Sequence, residues 1–396
     1  MIPARRARFN TAWSPDRYQR FQALIAARAG VPIEFRLCET PAFFPLSLLN
    51  RLVEAAEDML GQLLRNEIYR RAADAVVPEA FRLPRAETLP TFVQVDFGLV
   101  QTASGLEGRL VELQAFPSLY AFQPTLAQTA MDVYDLEGLT PFLSGLDRDA
   151  FVRAGARAIV GDHDPAEVVL LEIDPVHQKT RPDFSLTEQI WGVRAVDVRD
   201  VTARGKTLFY SRDGKDTRIA RIYNRVIPDE LVRTGTTLPF DFRDDLDVEW
   251  TGGPDWYFRI SKFSIPWLRH PWVPRTHYLH AIDALPDDRE QWLLKPLFSF
   301  AGGGIVFAPT DAQIAAIPIA ERCQYILQER IAFTPVIDTP HGATQAEVRL
   351  MFVEDGGRYL AVLPLVRMGR GKMMGVDHNK NLEWVGAAAA LIDPGA

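Results

Sequence analysis

The stretch Trp292-Leu293-Leu294-Lys295-Pro296-Leu297-Phe298-Ser299-Phe300-Ala301-Gly302-Gly303-Gly304-Ile305-Val306-Phe307 decides how this chain is read. An apolar strand carries a single lysine, a short loop holds three consecutive glycines, and a second apolar strand returns. Glycine lacks a Cβ, so its backbone N–H groups can close around phosphate oxygens. Lys295, at the end of the first strand, adds a point charge beside them. The pattern is not a P-loop, which needs Gly-Lys-Ser/Thr followed by a helix. It is not the dinucleotide fingerprint either, because no helix opens on the glycines. Two readings stand side by side: a lid folded over a nucleoside triphosphate, and a plain β-hairpin with a glycine turn.

Working outward, the 396 residues exceed one ordinary core and predict two or three domains. Apolar residues make up 47% and charged residues 24%, the composition of a soluble globular protein. A net charge of −7 leaves no broad basic footprint, so nucleic acid is not an expected partner. Cys38 and Cys323 match no metal or disulfide spacing, and a reducing cytoplasmic setting is expected. The basic first ten residues lack an apolar region, so no signal peptide is expected, and no run is long enough to span a bilayer.

Apolar residues at helical spacing predict one amphipathic helix over residues 47–72 and another over 17–28. Residues 91–100 and 109–114 read as strands joined by a turn at 105–108. A helix is expected over 123–134. Residues 149–160 (helix), 168–173 (strand), a helix from Ser185, then strands at 193–198 and 218–226 alternate as in a small α/β domain with a partly parallel sheet. Residues 325–331 form a further strand, and 347–352 and 359–365 a closing pair around Asp355-Gly356-Gly357.

Four features carry candidate chemistry. Lys295 with Gly302, Gly303 and Gly304 is the first. Gln328-Glu329 ends an apolar strand, where backbone groups could meet an adenine edge and the carboxylate a ribose; taken alone, a strand ending on polar residues at the surface is the favoured explanation. Lys262 sits alone in the apolar, aromatic segment Ser261-Lys262-Phe263-Ser264-Ile265-Pro266-Trp267-Leu268. A buried ammonium needs an anionic partner, unless it snorkels to water. Glu112 and Gln114 are two apart on a strand and share a face, which Asp96 on the paired strand can join. Two carboxylates and an amide oxygen suit Mg²⁺, which takes hard oxygen ligands. A solvated sheet face is the alternative, but Val95, Phe97, Val111, Leu113 and Phe116 predict that both faces are covered.

In this order the features resemble the ATP-grasp superfamily in its circularly permuted form, as in the glutathionylspermidine synthases. There a strand ending in Asp and a later Glu-x-Asn-x-x-x-Pro supply metal ligands. Here the corresponding residues are Asp96 and Glu112-Leu113-Gln114-Ala115-Phe116-Pro117, with the proline one residue nearer the glutamate than in that pattern. Gln114 replaces the Asn, and Gln94 stands where the synthases carry a phosphate-binding arginine. The resemblance implies an α/β (α+β) fold with two subdomains closing on ATP, plus a small α/β domain. The implied segments are 1–148 (helices and metal-ligand hairpin), 149–250 (substrate side) and 251–396 (lysines, glycine loop and closing strands). It implies an ADP-forming carboxylate–amine or carboxylate–thiol ligase using ATP and Mg²⁺, with a small-molecule acid and amine as partners and no membrane. Lys262 and Lys295 would hold phosphates, Gln328 and Glu329 the nucleoside, and Asp96, Glu112 and Gln114 the metal. Arg367 or Arg349 would meet the transferred phosphoryl group. A non-catalytic nucleotide-binding protein and a small-molecule kinase are the competing functions.

Two loops add candidates: residues 177–183, a polar loop after a strand, and 367–372, a basic glycine-rich loop. Each fits an anion or substrate site as well as a surface turn. The seven histidines show no metal spacing except His277 and His280, which a surface helix would explain.

Overall fold

In the computed structural model of the chain, residues 1–299 and 302–396 are described; Phe300 and Ala301 of the expected glycine lid lie outside the described residues. At the centre is an antiparallel sheet in the order Gly386–Ala388, Arg358–Gly369, Gln345–Asp355, Phe92–Thr102, Gly105–Gln114. The expected hairpin forms. Its strands run on to Thr102 and Gly105, so the turn lies earlier and is tighter than the one read at 105–108. The closing pair is likewise longer than its apolar core suggests.

Alternation along these strands sorts the side chains onto two faces. Val93, Val95, Phe97, Val348, Leu350, Phe352, Val366 and Met368 form one core with the helix Leu46–Leu64. The opposite face is divided. Phe92, Met351, Val353 and Leu363 pack with Phe122, Leu126 and Ala130 of the helix Phe122–Tyr134. The rest of that face carries Gln94, Asp96, Glu112, Gln114, Glu347, Arg349 and Arg367, and there the site lies.

The long helix expected over 47–72 is two helices. Asn66 accepts hydrogen bonds from the N–H groups of Ile68 (3.0 Å) and Tyr69 (3.1 Å), and so caps a second helix, Glu67–Ala75. The α/β unit holds a sheet that is parallel throughout, in the order Glu249–Thr251, Arg221–Asn224, Val168–Glu172, Arg194–Asp197. Its helix begins at Arg181, with Pro182 in the first turn, rather than at Ser185. The single strand expected over 218–226 is divided: Lys215–Ile219 joins a three-stranded antiparallel sheet with Thr202–Arg204 and Thr207–Arg212, whereas Arg221–Asn224 joins the parallel one.

A third sheet has the order Thr276–Tyr278, Tyr325–Glu329, Trp292–Pro296, Val306–Phe307, and contains the lysine strand and its return. His277 lies on its edge strand and His280 in a 3₁₀ turn, not on one helix. Strands from the first and last expected segments meet in the central sheet, because Phe92–Thr102 pairs with Gln345–Asp355. Among the described residues no helix is long and apolar enough to cross a membrane.

Candidate functional site

A cavity of about 600 Å³ opens between the polar part of the central sheet, the lysine sheet and the loop 371–378. Lys262, Lys295, Gly302, Gln328 and Glu329 line it from one side; Glu112, Gln114, Arg349 and Arg367 line it from the other.

Lys295 sits on an inner strand of the small sheet, opposite Ile326, and is 4% exposed. Among the described residues nothing accepts a hydrogen bond from its Nζ. Burial pushes its pKa down to about 8; nearby Lys262 adds to this, while Glu112 and Glu347 oppose it. Lys262 opens a 3₁₀ segment fixed by the reciprocal bonds of Ser261 and Ser264. Its ammonium does not snorkel: it donates to the Ser299 carbonyl at 2.7 Å and stands 4.0 Å from Glu112 Oε2. Gln328 is buried, and both polar atoms of its amide lack a partner among the described residues. A buried amide left this way is costly unless something absent from the chain completes it. Glu329 lines the same wall but is paired with Arg275 at 3.1 Å.

The glycine loop needs its glycines. Gly302 and Gly304 have φ of 76° and 72°, and a Cβ on either would lie 2.6 Å from Met373 Cε or 2.8 Å from Pro296 Cγ. Gly302 lines the cavity; Gly303 and Gly304 are exposed at the loop's outer side.

The opposite wall is a row of cross-strand partners: Glu112 faces Asp96, and Asp96 faces Arg349. Arg349 donates Nε to Asp96 Oδ1 and Nη2 to Oδ2, both at 2.6 Å, and Nη1 to Gln94 Oε1 at 2.9 Å. The Gln114 amide lies 2.9 Å from Nη1 and Nη2 of the same guanidinium and donates Nε2 to Gln94 Oε1 at 2.8 Å. Burial opposes the charge on Arg349, but Asp96 outweighs it and the pKa is raised. Arg367 bridges Asp96 Oδ2 at 2.9 Å and Glu347, and its Nε has no partner among the described residues. Burial raises the Glu347 pKa against the pull of Arg367, and Asp96 and Glu112 add to the rise.

The expected metal set was Asp96, Glu112 and Gln114. It does not reach the cavity as a set. Asp96 is fully buried, with both oxygens on Arg349, and the Gln114 amide is bonded to Gln94 Oε1 beside that same guanidinium. Glu112 alone of the three turns an uncommitted carboxylate inward, 3.9 Å from Arg349. Among the described residues no cluster of three or more His, Cys, Asp or Glu side chains could hold a metal ion. Mg²⁺ therefore does not fit this donor set as it is arranged, whereas the buried lysines and the open amide suit a phosphate-bearing ligand.

Glu347 was not singled out from the sequence. Its signal was the alternation Glu347-Val348-Arg349, which places two charges on one strand face. In the loop at 177–183, Lys179 and Thr180 reach the cavity rim, and Lys179 pairs with Asp377 at 2.8 Å. Asp183 turns inward instead. It accepts from the N–H groups of Leu119 (3.0 Å), Ala121 (2.9 Å) and Phe122 (2.9 Å) and from Arg225 (3.0 Å). This fixes the turn that follows Pro117. In the basic loop, Gly371 and Lys372 line the cavity, and Arg370 donates to the Glu383 carbonyl at 2.9 Å.

No protein-family model matches the chain, and no curated protein matches it by sequence. Among solved structures, the apo form of a glutathione synthetase-like effector from Globodera pallida is similar, with a TM-score of 0.55 and 13% identity over 95% of this chain and 96% of that one. The likeness is one of fold: a mixed α/β architecture similar to a glutathione synthetase-like protein, extending along nearly the whole of both chains.

Proposed function

We propose that the protein is an ATP-dependent, ADP-forming ligase of the permuted ATP-grasp type, joining a small-molecule acid to an amine or thiol. The observation that carries this reading is the pair Lys295 and Gln328. Both are buried, both lack partners among the described residues, and both line one cavity beside a glycine turn. A carboxamide offers a donor and an acceptor together, which suits the edge of a nucleobase. Lys262 and Lys295 supply charge for the phosphates, and Arg367, which lines the same cavity, meets the transferred phosphoryl group. The fold likeness to a glutathione synthetase-like protein supports the architecture.

In the reaction, a carboxylate oxygen of the acid bonds to the γ-phosphorus and the bond to the ADP oxygen breaks. The amine nitrogen or thiol sulfur then attacks the acyl carbon, the carbon–oxygen bond to phosphate breaks, and the nucleophile's proton goes to solvent. The lysines and Arg367 contribute by positioning and charge neutralisation. Exclusion of water by the glycine loop protects the acyl phosphate.

A second reading, nucleotide binding without turnover, is favoured by the engagement of both Asp96 oxygens with Arg349. ADP release from ATP across a panel of acid–amine and acid–thiol pairs separates the two. Release that requires both substrates upholds the ligase. Saturable ATP binding with no release from any pair leaves the second reading. A stable phosphorylated product indicates a kinase.

A further inference from the structure

We infer that Arg349 is the resident cation of this cleft, seated where the acid–amide set would otherwise receive a divalent metal, and that the nucleotide binds without one. The inference rests on the nucleotide reading above. Three neighbours surround the guanidinium. Asp96 takes Nε and Nη2 at 2.6 Å, Gln94 takes Nη1 at 2.9 Å, and the Gln114 amide, which donates to Gln94 Oε1 at 2.8 Å, lies 2.9 Å from Nη1 and Nη2. Glu112 stands 3.9 Å away. Asp96, the buried carboxylate of the set read from the sequence as a metal site, is thus wholly committed to this side chain.

Cross-strand register holds it there. Arg349 lies directly opposite Asp96, which lies directly opposite Glu112. Asp96 is fully buried, so withdrawing the guanidinium would strand a carboxylate in low dielectric; removing one partner of a buried pair is far costlier than never having formed it. The two departures from the resembled motif fit this arrangement. Gln94 presents its amide oxygen to Arg349 and is itself held by Gln114 Nε2 at 2.8 Å, and an arginine at 94 would instead face Arg349 with like charge. Phosphate charge is then met by Lys262, Lys295 and Arg367, which all line the cavity.

Calorimetric titration of a non-hydrolysable ATP analogue, in excess EDTA and again in excess Mg²⁺, tests the inference on the intact protein. The expected Kd differs by less than about fivefold between the two conditions. A wild-type Kd weakened by more than about fivefold in EDTA overturns the inference and leaves the nucleotide reading standing. Absence of binding in both conditions overturns both. In Arg349→Met, which empties the place of charge, Mg²⁺ should strengthen binding by more than about fivefold over EDTA. Equal affinity in the two conditions would mean that Arg349 does not stand in for a metal. Should that variant fail to fold, the wild-type comparison decides alone.

Discussion

Arg349 and Asp96 meet through two parallel hydrogen bonds of 2.6 Å, at a point where their strands place them face to face. An arginine fork on a carboxylate is among the stronger and more directional polar contacts a protein makes. Here it closes the floor of the cleft and leaves Lys295 and Gln328 as buried groups of the roof without partners among the described residues.

Lys295→Met should stabilise the free protein and weaken nucleotide binding. The ammonium is buried and its pKa is lowered to about 8, so the charged form costs folding free energy. Below that pH the folded state carries the full penalty. Between about 8 and the unfolded value near 10.4 the unfolded chain binds more protons, so wild-type stability rises with pH and the penalty fades. Urea denaturation of both proteins from pH 7 to 10.5 measures the gap, on the order of 3 kcal/mol at the lower end. A gap that stays constant across this range would remove the buried ammonium as its cause. Loss of a charge-assisted contact should weaken analogue binding by roughly tenfold or more.

Glu112→Gln should tighten binding of the metal-free analogue by about two- to tenfold, because a carboxylate beside Lys262 repels phosphate. The melting temperature should stay within about 3 °C, since the side chain is partly exposed and makes no short hydrogen bond among the described residues. Weaker binding in the variant, confined to solutions containing Mg²⁺, would assign the carboxylate to a metal.

Gly304→Ala forces a side chain onto a backbone at φ 72° with Pro296 Cγ 2.8 Å away. The expected local cost is about 1 kcal/mol or more. Affinity for the analogue should fall while the global melting transition stays near that of the wild type. In the wild type, amide exchange across residues 302–306 should slow on addition of saturating nucleotide. Equal exchange with and without it would reduce the loop to a fixed turn.

Asp183→Ala should be the most damaging of these changes. The carboxylate holds three backbone N–H groups and is the partner of buried Arg225. Its removal leaves a guanidinium buried among Phe116 and Phe184, at a cost of about 3–5 kcal/mol in denaturant unfolding. A loss under about 1 kcal/mol would show that water reaches Arg225 and takes over the carboxylate's role.

The parts of the fold legible beforehand were those encoded by local pattern: the 92–102 and 105–114 hairpin, the lysine strand with its glycine return, and the α/β alternation. Lys262, Lys295 and Gln328 could be singled out because polar residues in apolar segments are locally conspicuous. Local pattern failed where one residue overrode a periodicity, as Asn66 does in capping a new helix inside an unbroken apolar stripe. It failed too where pairing is distant. Nothing near Asp96 announces Arg349, because strand register is set by the assembled sheet rather than by either segment. Glu347 escaped for the same reason: its partner Arg367 lies on the far side of the closing turn.

The centre of the main sheet joins two strands whose facing residues Asp96 and Arg349 are 253 positions apart. On a ribosome adding 5–20 residues each second, the first strand waits roughly ten to fifty seconds for its neighbour. During that interval the hairpin 92–114 has an open edge and a half-face of unpaired charge. Asp96 thus leaves the ribosome well before the guanidinium that it faces in the finished sheet. The polar face of the hairpin therefore finds its buried ion-pair partner only after most of the chain has been made.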